Sequence, residues 1–180
     1  MELHTERLIL REMTMDDFGA LYAVLGDQDI MRHYPYRFDE KRVRDWISRN
    51  LERYRVFGFG LWAVCLRQTG EVIGDCGLTM QLLGERIVPE IGYHIRADMQ
   101  RRGYAREAAR AVRDWAFEHT PFRVIYSCMK YTNAPSARTA LSWGCRQVDE
   151  IRDDVNGPTK VFAVGREEWA TAHAKNPSNR

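Results

Sequence analysis

The sequence predicts one α/β domain, a mixed sheet with helices on both faces. Three observations carry that expectation. Apolar runs of strand length alternate with helical stripes in the order β α α β β β α β α β β. The chain has 180 residues, enough for one substantial core, and shows no repeat, linker or low-complexity segment. Residues 89–119 read as strand, small-residue loop and long helix, an order that converges free backbone N–H groups on an anion.

In chain order, Arg7–Arg11 is an apolar run and the first strand. Thr14 caps a helix with Asp16 and Asp17 in its first turn; Phe18, Leu21, Tyr22 and Leu25 recur at helical spacing, and Gly26 stops it. The loop 33–38 (HYPYRF) carries three aromatics and a proline. It either packs across a helix junction or forms an aromatic wall of a substrate cleft. Asp39 caps a second helix, 40–54, with Val43, Trp46, Ile47 and Leu51 on one core-facing stripe. Residues 61–66 and the run from Val72 form an antiparallel hairpin around Gly70, and Gly84-Glu85 turns the chain again into 89–95. After the 105–119 helix come a strand at 122–129 and a helix starting at Asn133-Ala134-Pro135-Ser136 and ending at Trp143-Gly144. Strands at 146–152 and 160–164 follow, joined by an Asn156-Gly157-Pro158 turn. Residues 1–169 are expected to make the domain and 170–180 a frayed polar tail.

Composition excludes several classes. The net charge is only +2, from 27 basic and 25 acidic residues, which argues against a dedicated nucleic-acid binder. Only Lys41, Lys130, Lys160 and Lys175 are lysines, so the positive charge is nearly all guanidinium, a bias that composition or anion binding would each explain. Cys65, Cys76, Cys128 and Cys145 are widely spaced without metal-ligand spacing. They read as buried hydrophobes in a reducing compartment, with no metal expected. The start, MELHTERLIL, lacks the pattern of a signal peptide, and no apolar run reaches the roughly 20 residues of a membrane span. A cytoplasmic protein without membrane or nucleic-acid partners is expected.

The chemistry concentrates around residues 89–119. Gly103 precedes the helix and lets backbone approach a ligand, while Ala105 leaves room on the first turn. Arg101, Arg102 and Arg106 suit phosphates or are simply solvated. The loop is neither a Rossmann G-x-G-x-x-G nor a P-loop. Gln100–Ala105 matches Q/R-x-x-G-x-G/A; with Thr5–Arg11 (TERLILR), the EIGYHI strand and Asn133-x-x-Ser136 before Gly144, it carries a resemblance. The chain resembles the GNAT superfamily of N-acetyltransferases, in its ribosomal-protein-alanine (RimJ/RimL-like) branch, from Thr5 to about Val164. Cys145 stands where that branch usually has Phe.

The resemblance implies a GNAT-like acyl-CoA N-acyltransferase fold, with a largely antiparallel central sheet and a parallel, splayed fourth and fifth strand pair. It implies acetyl-CoA in that gap, with backbone of Tyr93, His94 and Ile95 along the pantetheine arm. The segment Gln100, Arg101, Arg102, Gly103, Tyr104 and Ala105 would hold the pyrophosphate, and the Asn133 amide would reach the pantetheine. The reaction implied is direct attack of a primary amine, on a protein N-terminus or a small molecule, without metal or covalent intermediate.

Strand alternation puts Glu90, Gly92 and His94 on one face. Glu90 is the first candidate base, or alternatively an edge ion pair. His94 is the second: imidazole changes charge near neutral pH, but the branch usually has an aromatic there, which His94 could simply replace in packing. Many superfamily members place a tyrosine proton donor where this chain has Ala140. Ser136 is then the donor candidate, or else a hydroxyl at the helix end, with Tyr131 ranked below it. Tyr34, Tyr36 and Trp46 are candidate substrate contacts. A non-catalytic acyl-CoA-sensing module is the alternative, and the assembly is expected to be a monomer or homodimer.

Overall fold

The computed structural model describes residues 1–153 and 157–175. Eight strands form one sheet: β1 (Glu2–His4), β2 (Leu8–Arg11), β3 (Leu61–Leu66), β4 (Val72–Leu83), β5 (Arg86–Ile95), β6 (Val124–Lys130), β7 (Arg146–Asp153) and β8 (Gly157–Gly165). They lie in the order β1-β2-β3-β4-β5-β6-β8-β7. All neighbours are antiparallel except β5 and β6. The expected mixed sheet with one parallel pair is therefore present. The helices are α1 (Phe18–Leu25), α2 (Glu40–Phe57), α3 (Tyr104–His119), α4 (Ala134–Ser142) and α5 (Arg166–Lys175).

Two cores cover the two faces. On one, Ala108, Ala109, Val112 and Ala116 of α3 meet Leu8, Trp62, Ile91 and Ile125 of the sheet. The small residues let α3 approach the strands closely, and Trp115 caps the layer edge-on against Trp62 at 5.2 Å. On the other face, Leu21 and Leu25 of α1 and Val43 and Ile47 of α2 pack on Leu61, Ala63 and Val72. Arg11 ties β2 to the turn before α1 through a two-pronged bond to Asp17, at 2.8 and 2.7 Å.

Several expectations need correction. The α2 stripe turns more than its apolar residues imply: Leu51 is 38% exposed, while Asn50 and Tyr54 are buried. Asn50 is tolerated there because its amide serves Leu61 N–H at 2.9 Å and Trp46 O at 2.9 Å. The helix runs past Tyr54 to Phe57 and stops at Gly58. Strand β5 begins at Arg86 rather than Pro89, lengthening the β4–β5 hairpin. Strand β1 adds to the expected set. So does α5, within which the expected tail boundary at 169/170 falls; it docks through Trp169, which donates to Asp114 at 2.8 Å. The expected 156–158 turn includes Asn156, which lies outside the described residues, as does 176–180.

Candidate active site

The sheet parts between β5 and β6. These strands share one register pair, Glu90–Tyr126. Beyond it the backbones separate and side chains reach across. Ser127 Oγ donates to Ile91 O at 3.1 Å, and Cys128 N–H donates to Glu90 Oε1 at 3.1 Å. At the far end of β5, Gln100 Nε2 donates to Ile95 O at 2.9 Å. Odd-numbered residues of β5 thus turn their peptide groups to the gap. Tyr93 follows by alternation, whereas Arg96 N–H binds Ile73 O of β4, so His94 backbone faces β4. Tyr93 and Ile95 therefore turn their backbone toward the gap, whereas His94 turns its backbone to β4 and its side chain to the α2 face.

A cleft of about 1150 Å³ begins at the loop before α3 and runs through this parting to the α2 face of the sheet. Gly103, at φ +84, starts α3 in a conformation that side chains resist, and no side chain caps the helix. Arg101 also adopts positive φ, at +61. Gly103, Tyr104, Ala105 and Arg106 line the cleft. Arg102 instead offers its carbonyl to Arg7 Nη1 at 3.0 Å. The loop is braced from β2's side: Glu107 Oε1 accepts from Thr5 Oγ1 at 2.7 Å and Arg7 N–H at 2.8 Å, and Oε2 from Arg7 Nε at 2.6 Å. Burial raises the Glu107 pKa, but these donors outweigh it and hold the carboxyl below its usual range. The Thr5 and Arg7 of the TERLILR run therefore serve the loop rather than the chemistry.

On the α2 face, His94 sits in a chain of hydrogen bonds. Its Nδ1 lies 2.7 Å from Asp75 Oδ1. Asp75 is fully buried on β4, and its Oδ2 accepts from Trp46 Nε1 at 2.8 Å. A carboxylate only accepts, so Nδ1 is the donor to Asp75, and Nε2 faces Tyr34 Oη at 2.9 Å. Burial, then the charges of Asp75 and Glu90, push the Tyr34 phenol up, so it stays a donor. Tyr34 and Trp46 also touch the His94 ring, with centroids at 5.6 and 5.8 Å. Gly92 leaves the floor open: a Cβ there would meet only Leu61 Cδ2, at 3.9 Å.

The other predicted residues fall in graded positions. Glu90 lines the cleft on the His94 face, its carboxylate engaged by Cys128 N–H. Asn133 caps α4 by accepting Ser136 N–H at 3.2 Å. Ser136 Oγ donates to Tyr93 Oη at 3.2 Å, and Tyr93 donates on to Ser136 O at 3.0 Å. Burial pushes the Tyr93 phenol up to about 12, against hydrogen bonds with Ser136 and Ser127. Ser136 is thus not the helix cap; Asn133 is. Tyr36 is 40% exposed, under Arg42's guanidinium at 4.4 Å. Tyr131 is exposed on the surface beneath Lys160, and Ala140 is buried.

Sequence reasoning missed Asp75 and Ser127. Asp75 left a signal: a lone acid inside VIGDCGL, a run otherwise buried throughout, must find partners when folded. Among the described residues no group of His, Cys, Asp or Glu is arranged to hold a metal ion, and no helix is long and apolar enough to cross a membrane.

Comparisons agree with this architecture. Residues 7–146 match the family described as "Acetyltransferase (GNAT) domain". The chain is 33% identical over 162 residues to the uncharacterized protein YkkB of Bacillus subtilis (strain 168), covering 89% of this chain and 94% of that one. It superimposes on an acetyltransferase of Agrobacterium tumefaciens str. C58 with TM-score 0.78 and 30% identity, over 91% and 94% of the two chains. It also shares its fold with RimL, a ribosomal L7/L12 α-N-protein acetyltransferase solved with coenzyme A, at TM-score 0.74 and 14% identity, over 92% and 98%. A strand pair that parts over an uncapped helix start, in a chain so matched, settles the family: the protein belongs to the GNAT acetyltransferases.

Proposed function

We propose that this acetyltransferase moves the acetyl group of acetyl-CoA to a primary amine by direct attack in a ternary complex, with His94 taking the amine's proton. One observation carries the reading: a single cleft joins the uncapped start of α3 to the face where Asp75 holds His94. Acetyl-CoA supplies an activated acyl group and a thiol leaving group. The residues fit it. The free N–H groups at the start of α3, with Arg101 and Arg106 beside them, suit its phosphates. Gap-facing Tyr93 backbone and the Asn133 amide suit the pantetheine arm.

The chain's own groups divide the remaining work. Tyr93 N–H, facing the gap, is a donor for the oxyanion. Asp75 fixes the His94 tautomer so that Nε2 can accept a proton, directly or through the Tyr34 hydroxyl. Ser136, coupled to Tyr93, is the hydroxyl available to the departing thiolate. Glu90 lies on the same wall, which keeps it as the second base, but its bond to Cys128 N–H gives it a task in holding the strands. A module that only senses acyl-CoA has no use for a buried carboxylate fixing a cleft histidine. Tyr34 and Trp46 frame an acceptor that is either a protein α-amine or a small amine.

Thiol release from acetyl-CoA, followed with an amine panel including Ala- and Ser-started peptides, tests this. His94→Gln should lower kcat roughly 100-fold or more, and Glu90→Gln should cost far less, both retaining coenzyme A binding. A larger loss in Glu90→Gln transfers the base role to Glu90. Tight binding with no thiol release for any amine refutes the enzyme reading.

A further inference from the structure

The acceptor end of the cleft carries a charge pattern that acetyl transfer itself does not require. Helix α2 lays Trp46, Arg49 and Arg53 along one wall, one helical turn after another. The Arg49 guanidinium lies over the Trp46 ring at 5.7 Å, and that ring meets the His94 ring at 5.8 Å. Arg53 is half-buried; its Nη1 donates to Asn50 Oδ1 at 3.2 Å, and among the described residues it forms no salt bridge. Burial first, then the like charge of Arg49, pulls its pKa down, the mark of a guanidinium short of counter-charge. Of the acids of α2, Asp45 is bound by Lys41 and feels Arg49 only as a more distant charge, and Glu52 is bound by Arg55.

The floor has the opposite sign. Asp75 and Glu90 carry carboxylates there, close to where the amine must arrive. From floor to rim, the wall therefore passes from negative to positive. An amine approaching as ammonium is drawn to the floor, and whatever it carries outward meets two guanidiniums. Polyamines and aminoglycosides would set a second cation against Arg49 and Arg53. A carboxylate in that place would be matched by the planar donors of both.

We propose that the acceptor is a zwitterionic amine, whose amine enters beside His94 while a carboxylate a short distance away docks on Arg49 and Arg53. The steps from the His94 ring to the Trp46 ring, 5.8 Å, and from there to the Arg49 guanidinium, 5.7 Å, span at most about 11.5 Å, so the carboxylate belongs within about three extended residues of the amine. It can be an acidic side chain near a peptide N-terminus or the α-carboxylate of a free amino acid or dipeptide. The inference rests on the transferase reading, and its test separates the two.

The test compares kcat/KM for thiol release with C-terminally amidated Ala-Ala-Ala, Ala-Glu-Ala and Ala-Lys-Ala, with free amino acids and dipeptides, and with spermidine. The acidic peptide should exceed the neutral one by about fivefold and the basic one should fall below it by a similar factor. Raising salt should compress both gaps. Arg49→Glu, on the exposed rim, and Arg53→Glu should each shift the order toward the basic peptide; the first keeps the test informative if the second folds poorly. Preference for free amino acids would identify a small-molecule acceptor, and preference for the acidic peptide a polypeptide; each supports the proposal. Turnover with equal kcat/KM across the three peptides and no preference for free amino acids or dipeptides over them, or turnover best with spermidine, overturns the proposal and leaves the transferase standing. No turnover with any amine overturns both.

Discussion

Replacing Asp75 by Asn changes one atom and inverts the logic of the His94 site. The buried carboxylate accepts from His94 Nδ1 at 2.7 Å and from Trp46 Nε1 at 2.8 Å. An amide keeps the shape and can still accept from Trp46 through its oxygen. Its NH₂ then faces Nδ1 and must donate, which forces the imidazole proton onto Nε2. That nitrogen can no longer take a proton from the amine, whatever Tyr34 does. General-base catalysis is worth roughly 100- to 10,000-fold, so kcat should fall by at least about two powers of ten, near 3 kcal/mol of barrier. The hydrogen-bond count is unchanged, so stability should shift by no more than about 1 kcal/mol. Steady-state thiol release across pH 6–9, with a urea melt and coenzyme A titration on the same preparation, reads all three quantities. A structural role alone would lower stability and leave the pH profile in place. Near wild-type kcat with an unaltered profile would refute the assignment of His94 as base.

Other predictions follow from the loop and the ion pairs. Gly103→Val forces a β-branched residue into φ +84 and brings its Cβ within 3.3 Å of Arg7 Nη2; coenzyme A affinity should fall at least about tenfold, with roughly 1–2 kcal/mol lost in a urea melt. Glu107→Ala removes the acceptor of Thr5 and Arg7, and should cost about 2–3 kcal/mol while loosening coenzyme A binding more than amine binding. Acid should destabilise the fold through Asp17 and Glu107. Both folded pKa values are depressed, so their stabilisation is complete above the usual carboxylate range near pH 4 and is lost as pH falls through the folded values. Melts between pH 7 and 3 should therefore decline mainly below about pH 4.5, and Asp17→Asn should flatten that decline.

The strands and helices that position the site were legible because each has its own periodicity, start and stop. The cofactor loop was legible because Gly103 and the helix after it carry a local rule. What could not be read were contacts set by the sheet. Nothing near His94 in sequence announces Asp75, which lies 19 residues away and meets it only through the Asp75–His94 register pair. Tyr34 and Trp46 could be nominated as an aromatic wall, but not as the hydrogen-bond partners that they are. Strand β1 escapes a sequence reading because three residues show no period; its place is fixed by pairing, Glu2 to Arg11 and Leu3 to Leu10. Helix α5 has almost no apolar stripe and is held by Trp169 against Phe117 at 5.3 Å and by Arg166, which donates to the carbonyls of Phe117, Thr120 and Phe122.

The single register pair between β5 and β6 reaches beyond the reaction. Strands β1–β5 form one hydrogen-bonded unit, and β6, β8 and β7 another; within the sheet they are joined by Glu90–Tyr126 and the side chains of Glu90 and Ser127, and beneath it by the core they share under α3. The seam follows the gap proposed for the pantetheine arm, so a bound coenzyme would complete the missing ladder. Unfolding cooperativity should then rise when the coenzyme is bound. Empty, the smaller unit can open at a free energy below that of the whole and exchange its amides first; filled, both units should protect and melt together.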